Sequence, residues 1–461
     1  MPTSATQLIR GHILHFLADP GEHDAADSYQ SLPDGALWIV DGRVADLGPW
    51  PELRARRTAD ELAGAECFDY GQQLVLPGLV DTHCHYPQSG VIASFGRQLL
   101  DWLNDYTFPA EAAFADPHVA EAAAEYFVER LLAHGTTTAS VFATVHPQSV
   151  DAFMAAAERR QLRMLCGKVM MDRHAPPELC DDVASAERDS LALIERWHRR
   201  GRLRYSLTPR FAPTSTPEQL ALAGALYRSQ PDLHVQSHLA ENPDEIAWVG
   251  QLFPQRRDYL DVYAHYGLLG PRTIYGHCIH LAPEEIRNMA HTGSGAAFCP
   301  TSNLFLGSGL FNHAAALDAG IRVGLATDVG GGTSFSLIRT LGEAYKVSQM
   351  LGRPLPPLRA WWLATLAGAR ALYLDEHIGN FLPGKEADCV VLNPAATPEL
   401  AYRLQHGESL SEQLFALMVL GDERCVVATH VLGRVGGANV SCISCTKSRQ
   451  QNPAKRSWLG V

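Results

Sequence analysis

The sequence predicts an α/β chain in which a closed (β/α)8 barrel, TIM-like in plan, carries a small β-sandwich built from both chain ends. Three observations lead there. Between about Thr137 and Asp328, short β-rich runs alternate with longer segments whose apolar residues recur at helical spacing, the pattern of repeated βα units. The two ends of the chain instead carry short alternating strands separated by turn signals. Ionisable residues also stand at the C-terminal ends of several predicted barrel strands, the end where such barrels hold their chemistry.

A chain of 461 residues is long enough for a barrel of roughly 250 residues with a second unit beside it. Its 38 basic and 50 acidic residues give a formal net charge of −12, and no basic stripe crosses the body of the chain, so nucleic acid is not an expected partner. No apolar run reaches the roughly 18 residues of a membrane span. Met1 to Asp19 lacks the basic start and unbroken apolar stretch of a secretion signal. The ten cysteines are therefore expected to be reduced thiols in a cytoplasmic protein.

Along the chain, residues 1–75 contribute Ile9 to Ala18 and Ala36 to Leu47 as strands, with Asp41-Gly42 as a turn signal. The barrel is expected over 76–379. Its first strand is the apolar run Leu76-Pro77-Gly78-Leu79-Val80-Asp81-Thr82-His83-Cys84-His85. Seven more follow: Gly135 to Phe142, Arg163 to Met171, Leu203 to Phe211, Leu233 to Ala240, Thr273 to Cys278, Gly295 to Pro300 and Arg322 to Asp328. Pro147 to Arg160, Ser185 to Arg200 and Thr216 to Ser229 are the clearest helices between them. Residues 380–440 return to the β-sandwich through Cys389 to Asn393 and Cys425 to Val435, with a turn at Leu432-Gly433. The polar segment 441–461 is expected to be disordered. Its Cys442 and Cys445 have no matching second pair for a zinc site.

In a strand, side chains at i and i+2 leave the same face, so His83 and His85 can meet one metal ion. His238 ends the fifth predicted strand, His277 the sixth and Asp328 the eighth, all at one mouth of the barrel. Each has an ordinary reading alone: His277 as a core histidine, Asp328 as a turn former, Glu241 as an acid favoured at a helix start. Together, three histidines and an aspartate meet what zinc asks of a catalytic site. His83, His85, His238 and Asp328 would hold the ion. Asp328 could also accept a proton from bound water, Glu241 would move protons without ligating, and His277 could ligate weakly or polarise the substrate. The fourth strand ends Ser206-Leu207-Thr208-Pro209-Arg210 without a lysine to bridge two ions, and Lys168 lies in the third, so one metal is expected.

The same residues resemble the amidohydrolase superfamily, over about residues 8 to 438. Pro77 to His85 with Pro87-Gln88, and Thr327-Asp328-Val329-Gly330-Gly331-Gly332, mark the superfamily. The resemblance also takes in His238-Leu239-Ala240-Glu241-Asn242 and Cys299-Pro300-Thr301-Ser302-Asn303-Leu304, and Gly379 to Asp388 resembles the superfamily's return into the β-sandwich. Trp102 to Glu111 and Thr208-Pro209-Arg210-Phe211 are narrower and resemble its guanine-deaminating members. That resemblance implies one zinc per chain, with iron possible, a homodimer, and a small-molecule purine substrate hydrolysed from guanine to xanthine and ammonia. It implies that Gln88 and Arg210 read the purine's polar edge and Phe211 contacts its face, with His238 and His277 bordering it. A guanidinium and an aromatic wall suit a flat heterocycle bearing a carbonyl. Arg210 could instead pair with a buried carboxylate, and Phe211 could be core. Cys84 stands where the family usually carries a bulkier aliphatic, and should point away from the metal. Two alternatives share this architecture: a related deaminase or chlorohydrolase acting on a pterin, cytosine or triazine ring, and a catalytically silent scaffold, which would have lost ligands that this chain keeps.

Overall fold

The structure, a computed structural model, describes residues 6–438 apart from 97, 231 and 408. The segment 441–461, with Cys442 and Cys445, lies outside the described residues.

Eight parallel strands form the barrel: β1 (Leu79–His85), β2 (Thr136–Phe142), β3 (Arg163–Gly167), β4 (Arg204–Pro209), β5 (His234–Leu239), β6 (Thr273–His277), β7 (Gly295–Phe298) and β8 (Arg322–Leu325). They are neighbours in chain order, and a two-residue strand, Val169–Met170, pairs beside β3 with the end of β4. Their residues are buried almost without exception, which is why they read as continuous rather than alternating apolar runs. The helices cover them from outside. In Pro117–Ala133, Asp116 caps the first turn through the His118 N–H at 2.9 Å, and Ala120, Ala124, Phe127, Val128 and Leu131 form the buried stripe.

The ladder from β1 to β8 closes on itself just beyond β8. The Asp328 N–H donates to the His83 carbonyl at 2.9 Å and the His85 N–H to the Val329 carbonyl at 2.5 Å. The Thr82 hydroxyl donates to the Leu325 carbonyl at 3.0 Å. The closure therefore places His83, His85 and Asp328, more than 240 residues apart in sequence, at one point of the rim.

Both chain ends build a second sheet of seven strands, in the order Arg434–Ala438, Val426–Val431, Cys389–Leu392, Glu66–Pro77, Thr6–Phe16, Tyr29–Val40, Arg43–Pro49. Ile9, Ile13, Leu37, Ile39, Val75 and Val391 belong to its core. Asp41 and Gly42, with φ of 50° and 77°, break the expected Ala36 to Leu47 run into a hairpin. Glu66–Pro77 is a strand the sequence did not announce. Its first half is mostly exposed, with Phe68 and Tyr70 half-buried against the sheet core, and it is extended because it pairs with Thr6–Phe16 on one side and Cys389–Leu392 on the other.

Candidate active site

The end of β1 supplies two imidazoles on one face. His83 Nε2 and His85 Nε2 lie 3.2 Å apart, and His238 Nε2, from the end of β5, lies 3.2 Å from His85 Nε2. Asp328 Oδ1 is 3.3 Å from His83 Nε2 and 3.4 Å from His85 Nε2. His277, at the end of β6, places Nε2 3.7 Å from Asp328 Oδ2 and 3.3 Å from Glu241 Oε2. All six side chains are buried or nearly so.

The backbone turns sharply to aim them. Ala240, His277, Cys278 and Asp328 have φ of 49°, 69°, 53° and 50°, a left-handed conformation that residues other than glycine seldom adopt and that is held here by the surrounding structure. Tautomers are set from behind: His238 Nδ1 donates to the Arg210 carbonyl at 2.7 Å, so its Nε2 carries a lone pair inward. His277 Nδ1 lies 2.9 Å from Asn303 Oδ1. The Asp81 carboxylate accepts the Thr327 N–H at 3.0 Å, the Thr327 hydroxyl, and the His83 N–H at 3.3 Å, tying the two ligand-bearing strand ends together.

Burial pulls His238 well below the usual imidazole range and His85 down to about 3. Asp328 is also buried, but bonds from His83 and His85 and the charge of His277 outweigh that and hold it well below the usual carboxylate range. Burial, with the charge of Asp328, pushes Glu241 up to about 8 against a hydrogen bond from the Ser308 hydroxyl at 3.1 Å. The lone pair of His238 Nε2 points at His85 Nε2 beside the Asp328 carboxylate, acceptors that a shared cation would satisfy together. Ligands roughly 2.0 to 2.2 Å from one ion at tetrahedral angles are about 3.3 to 3.6 Å from each other, close to the spacings here. The donor set therefore fits a divalent metal. His83, His238 and His277 form one group of potential ligand atoms within 4.8 Å of one another, and His277, Cys299 and Asp328 another. Cys299 is a weak member, because burial pushes its thiol well above the usual value.

Beside this cluster a cavity is lined by Gln88, Trp102, Arg210, Phe211, Glu241 and Leu306 among others. Phe211 is buried against Trp248, with ring centroids 6.2 Å apart. Arg210 faces the cavity while its Nη1 donates to both oxygens of buried Glu111, at 2.9 and 2.6 Å. Gln88 Nε2 donates to the same carboxylate at 3.0 Å, and its Oε1 accepts the Gly330 N–H at 3.3 Å. The pairing with a buried carboxylate and the place on the cavity wall are thus both realised in Arg210. Cys84 points into the hydrophobic core, with Sγ 3.7 Å from the Ser140 carbonyl. Lys168 is buried with its amine on Asp181 and the Val169 carbonyl.

Sequence reading did not single out Glu111, Glu245, Asn303 or Ser308. Glu245 accepts the N–H groups of Glu241 and Asn242 at 3.0 and 3.2 Å and the Tyr259 hydroxyl at 2.7 Å, and so holds the turn that carries Glu241. The available signal for it was the Asn242-x-x-Glu245 capping box. For Glu111 it was a lone acid among Phe108, Ala110 and Ala112 on a short helix.

A parallel barrel with imidazoles and a carboxylate converging at its C-terminal rim, beside an acid and a guanidinium, is the arrangement of a hydrolase with a candidate divalent-metal site. The chain belongs to the amidohydrolase family, whose model matches residues 74–436. Within it, the chain is 50% identical to guanine deaminase of Escherichia coli over 412 residues, 89% of this chain and 93% of that one. The solved E. coli guanine deaminase has a TM-score of 0.90 at 47% identity, covering 93% of this chain and 99% of that chain. A guanine deaminase from C. acetobutylicum with guanine bound in its active site has a TM-score of 0.83 at 28% identity, covering 93% and 99%.

Proposed function

We propose that the protein hydrolyses guanine to xanthine and ammonia. The observation that carries this reading is the guanidinium of Arg210, fixed by Glu111 on the wall of a cavity that Glu241 and the histidine cluster also line. Arg210 and the free positions of the Gln88 amide would take the purine's carbonyl edge, Phe211 its face, and His238 and His277 would border the reacting carbon.

His83, His85, His238 and Asp328 would hold one zinc ion, or iron in its place, which when bound supplies a water acidic enough to attack at neutral pH. The remaining chemistry belongs to the chain. Glu241, pushed up to about 8, carries a proton at neutral pH and gives it to the ring nitrogen beside the amino-bearing carbon. Asp328, held ionised, takes a proton from the attacking water, and His277 steadies the oxygen that adds. Addition of one water to that carbon and cleavage of its bond to the amino nitrogen release ammonia, the leaving nitrogen taking up a proton, and leave xanthine. A homodimer acting in the cytoplasm completes the reading, supported by the family resemblance and by eight free cysteines among the described residues.

The test is ammonia release by metal-analysed protein on guanine, adenine, cytosine, pterin and triazine substrates, with and without a chelator. Guanine is expected to be preferred and the activity to be lost on metal removal. Preference for another ring would keep the metal site and withdraw the roles given to Gln88 and Arg210. No ammonia from any ring with one metal bound would support the scaffold alternative.

A further inference from the structure

The cavity wall presents a full positive charge, yet the substrate proposed for it is uncharged. Arg210 lines the cavity and Glu111 does not. Glu111 lies directly behind the guanidinium, fully excluded from solvent, with both oxygens on Arg210 Nη1. On the other side the Phe108 ring packs beneath the guanidinium, 5.5 Å from ring centroid to Cζ. The Gln88 amide donates to the same buried carboxylate.

A buried carboxylate that satisfied only hydrogen bonds would be an expensive choice, since an amide oxygen accepts the same N–H groups without a charge to desolvate. What the carboxylate adds is charge. With Glu111 ionised, the guanidinium offers directed donors to a carbonyl while the pair is neutral overall. With Glu111 neutral, the same donors would sit on an uncompensated cation in a medium of low dielectric and attract anions strongly.

We propose that Glu111 is a positioning residue that both orients Arg210 and Gln88 and neutralises the substrate end of the cavity, so that it selects an uncharged oxopurine and rejects an ionised one, including the ionised form of its own product. The inference rests on the guanine reading above. Its chemical content is that of specificity by charge: donors are kept for the carbonyl edge that guanine and xanthine share, and the anionic form of xanthine gains nothing from Arg210. Accumulated product would then block the site less as it ionises.

The experiment compares binding of xanthine with binding of hypoxanthine by calorimetric titration of the metal-replete protein. Titrations run across the pH range in which xanthine loses a proton and hypoxanthine stays neutral. Hypoxanthine reports any titration of the protein itself. For the unaltered protein, the Kd of xanthine relative to that of hypoxanthine is expected to rise as xanthine ionises. In Glu111→Gln the ratio is expected to stay flat or fall, with the xanthine anion bound roughly tenfold or more tightly relative to hypoxanthine than by the unaltered protein. Glu111→Asp keeps the charge and is expected to keep the rising ratio, even where a shorter side chain weakens both ligands. A purely structural role would weaken both ligands together in both variants and leave the ratio unchanged. The proposal is overturned if the unaltered protein binds the anion as tightly as the neutral base, an arm that needs no variant to fold, or if Glu111→Gln keeps the ratio of the unaltered protein. Neither outcome touches the assignment of activity, which fails separately if guanine releases no ammonia.

Discussion

At the scale of single residues, the metal cluster depends on a side chain that is missing. Gly276 stands on β6 opposite His238 in the ladder, and its bare Cα faces the ring of His83. A Cβ built there would lie 2.8 Å from His83 Cε1 and 3.1 Å from both ring nitrogens. Relief of that contact displaces the His83 ring from its place in the cluster, since all three of the nearest atoms belong to that ring. Gly276→Ala is expected to fold with a near-normal melting temperature, bind substoichiometric metal and lose roughly a hundredfold or more in kcat, since a misplaced ligand costs geometry rather than stability. Metal analysis beside a thermal melt decides it, and a fully metallated, active variant would refute the argument. Glu241→Gln separates the other role at this scale. It keeps the volume and removes the proton that burial and Asp328 hold on the carboxyl. Metal content should be unchanged while kcat falls by about 10² to 10⁴, and near-normal turnover would take Glu241 out of the mechanism. These ligands were legible because they end apolar runs that must be strands. Glu111 was not, because its two partners lie 23 and 99 residues away and only the closed barrel brings them together.

At the scale of elements, the seam between β1 and β8 is where a barrel built by successive neighbours has to be fastened. Asp81 does much of this, accepting two bonds from Thr327 and one from the His83 backbone inside a fully buried strand. Asp81→Ala would leave the Thr327 amide and hydroxyl without that acceptor in the interior. The expected cost is about 2 to 3 kcal/mol, the range for a buried hydrogen bond to a charged group whose donors are then stranded. Unfolding in urea measures it, and a midpoint unchanged from that of the parent would mean the seam is held by its backbone bonds alone. The barrel strands could be read from sequence because two-sided burial forces apolar runs, which are rare elsewhere in a chain of this charge. Glu66–Pro77 could not, because its first half is interrupted by Gly71 and two glutamines and buries only Phe68 and Tyr70 in part, and its extended backbone is dictated by strands that precede it by about 60 residues and follow it by more than 300. The hairpin at Asp41-Gly42 was visible as turn chemistry inside what otherwise scans as one strand.

At the scale of the whole molecule, the terminal sheet is clamped to the barrel by charge at the end opposite the active site. Arg163 begins β3 and Arg202 precedes β4, while Glu386 and Asp388 precede the strand Cys389–Leu392. Arg163 Nε donates to Glu386 at 2.8 Å, Arg202 Nε to Glu386 at 2.9 Å, and Arg202 Nη1 to Asp388 at 3.1 Å. Burial alone would raise the Glu386 carboxyl, but the bonds and charges of both arginines outweigh it and hold it at about 2, against an ordinary 4.5. The unfolded chain therefore takes up this proton first as pH falls. The clamp's contribution, on the order of 3 kcal/mol, is complete above about pH 4.5 and is lost on descending towards pH 2. A second loss, carried by three groups, begins higher. His234, His313 and His430 are held by burial at about 3, 4 and 4, so only the unfolded chain protonates them as pH drops through about 6.5. Acid unfolding should accordingly show a decline that begins below pH 6.5, with the loss from Glu386 added to it below 4.5. Glu386→Gln should lose stability at neutral pH, because a buried guanidinium is left uncompensated. It should also lose the part of the decline added below pH 4.5 while keeping the part that begins at 6.5. Its kcat at pH 7 should match that of the parent, because the clamp lies at the N-terminal end of the barrel strands and the chemistry lies at the other rim. An acid-unfolding profile unaltered by Glu386→Gln would place the lower transition elsewhere, and a fall in kcat without loss of stability would mean that the clamp reaches the active site.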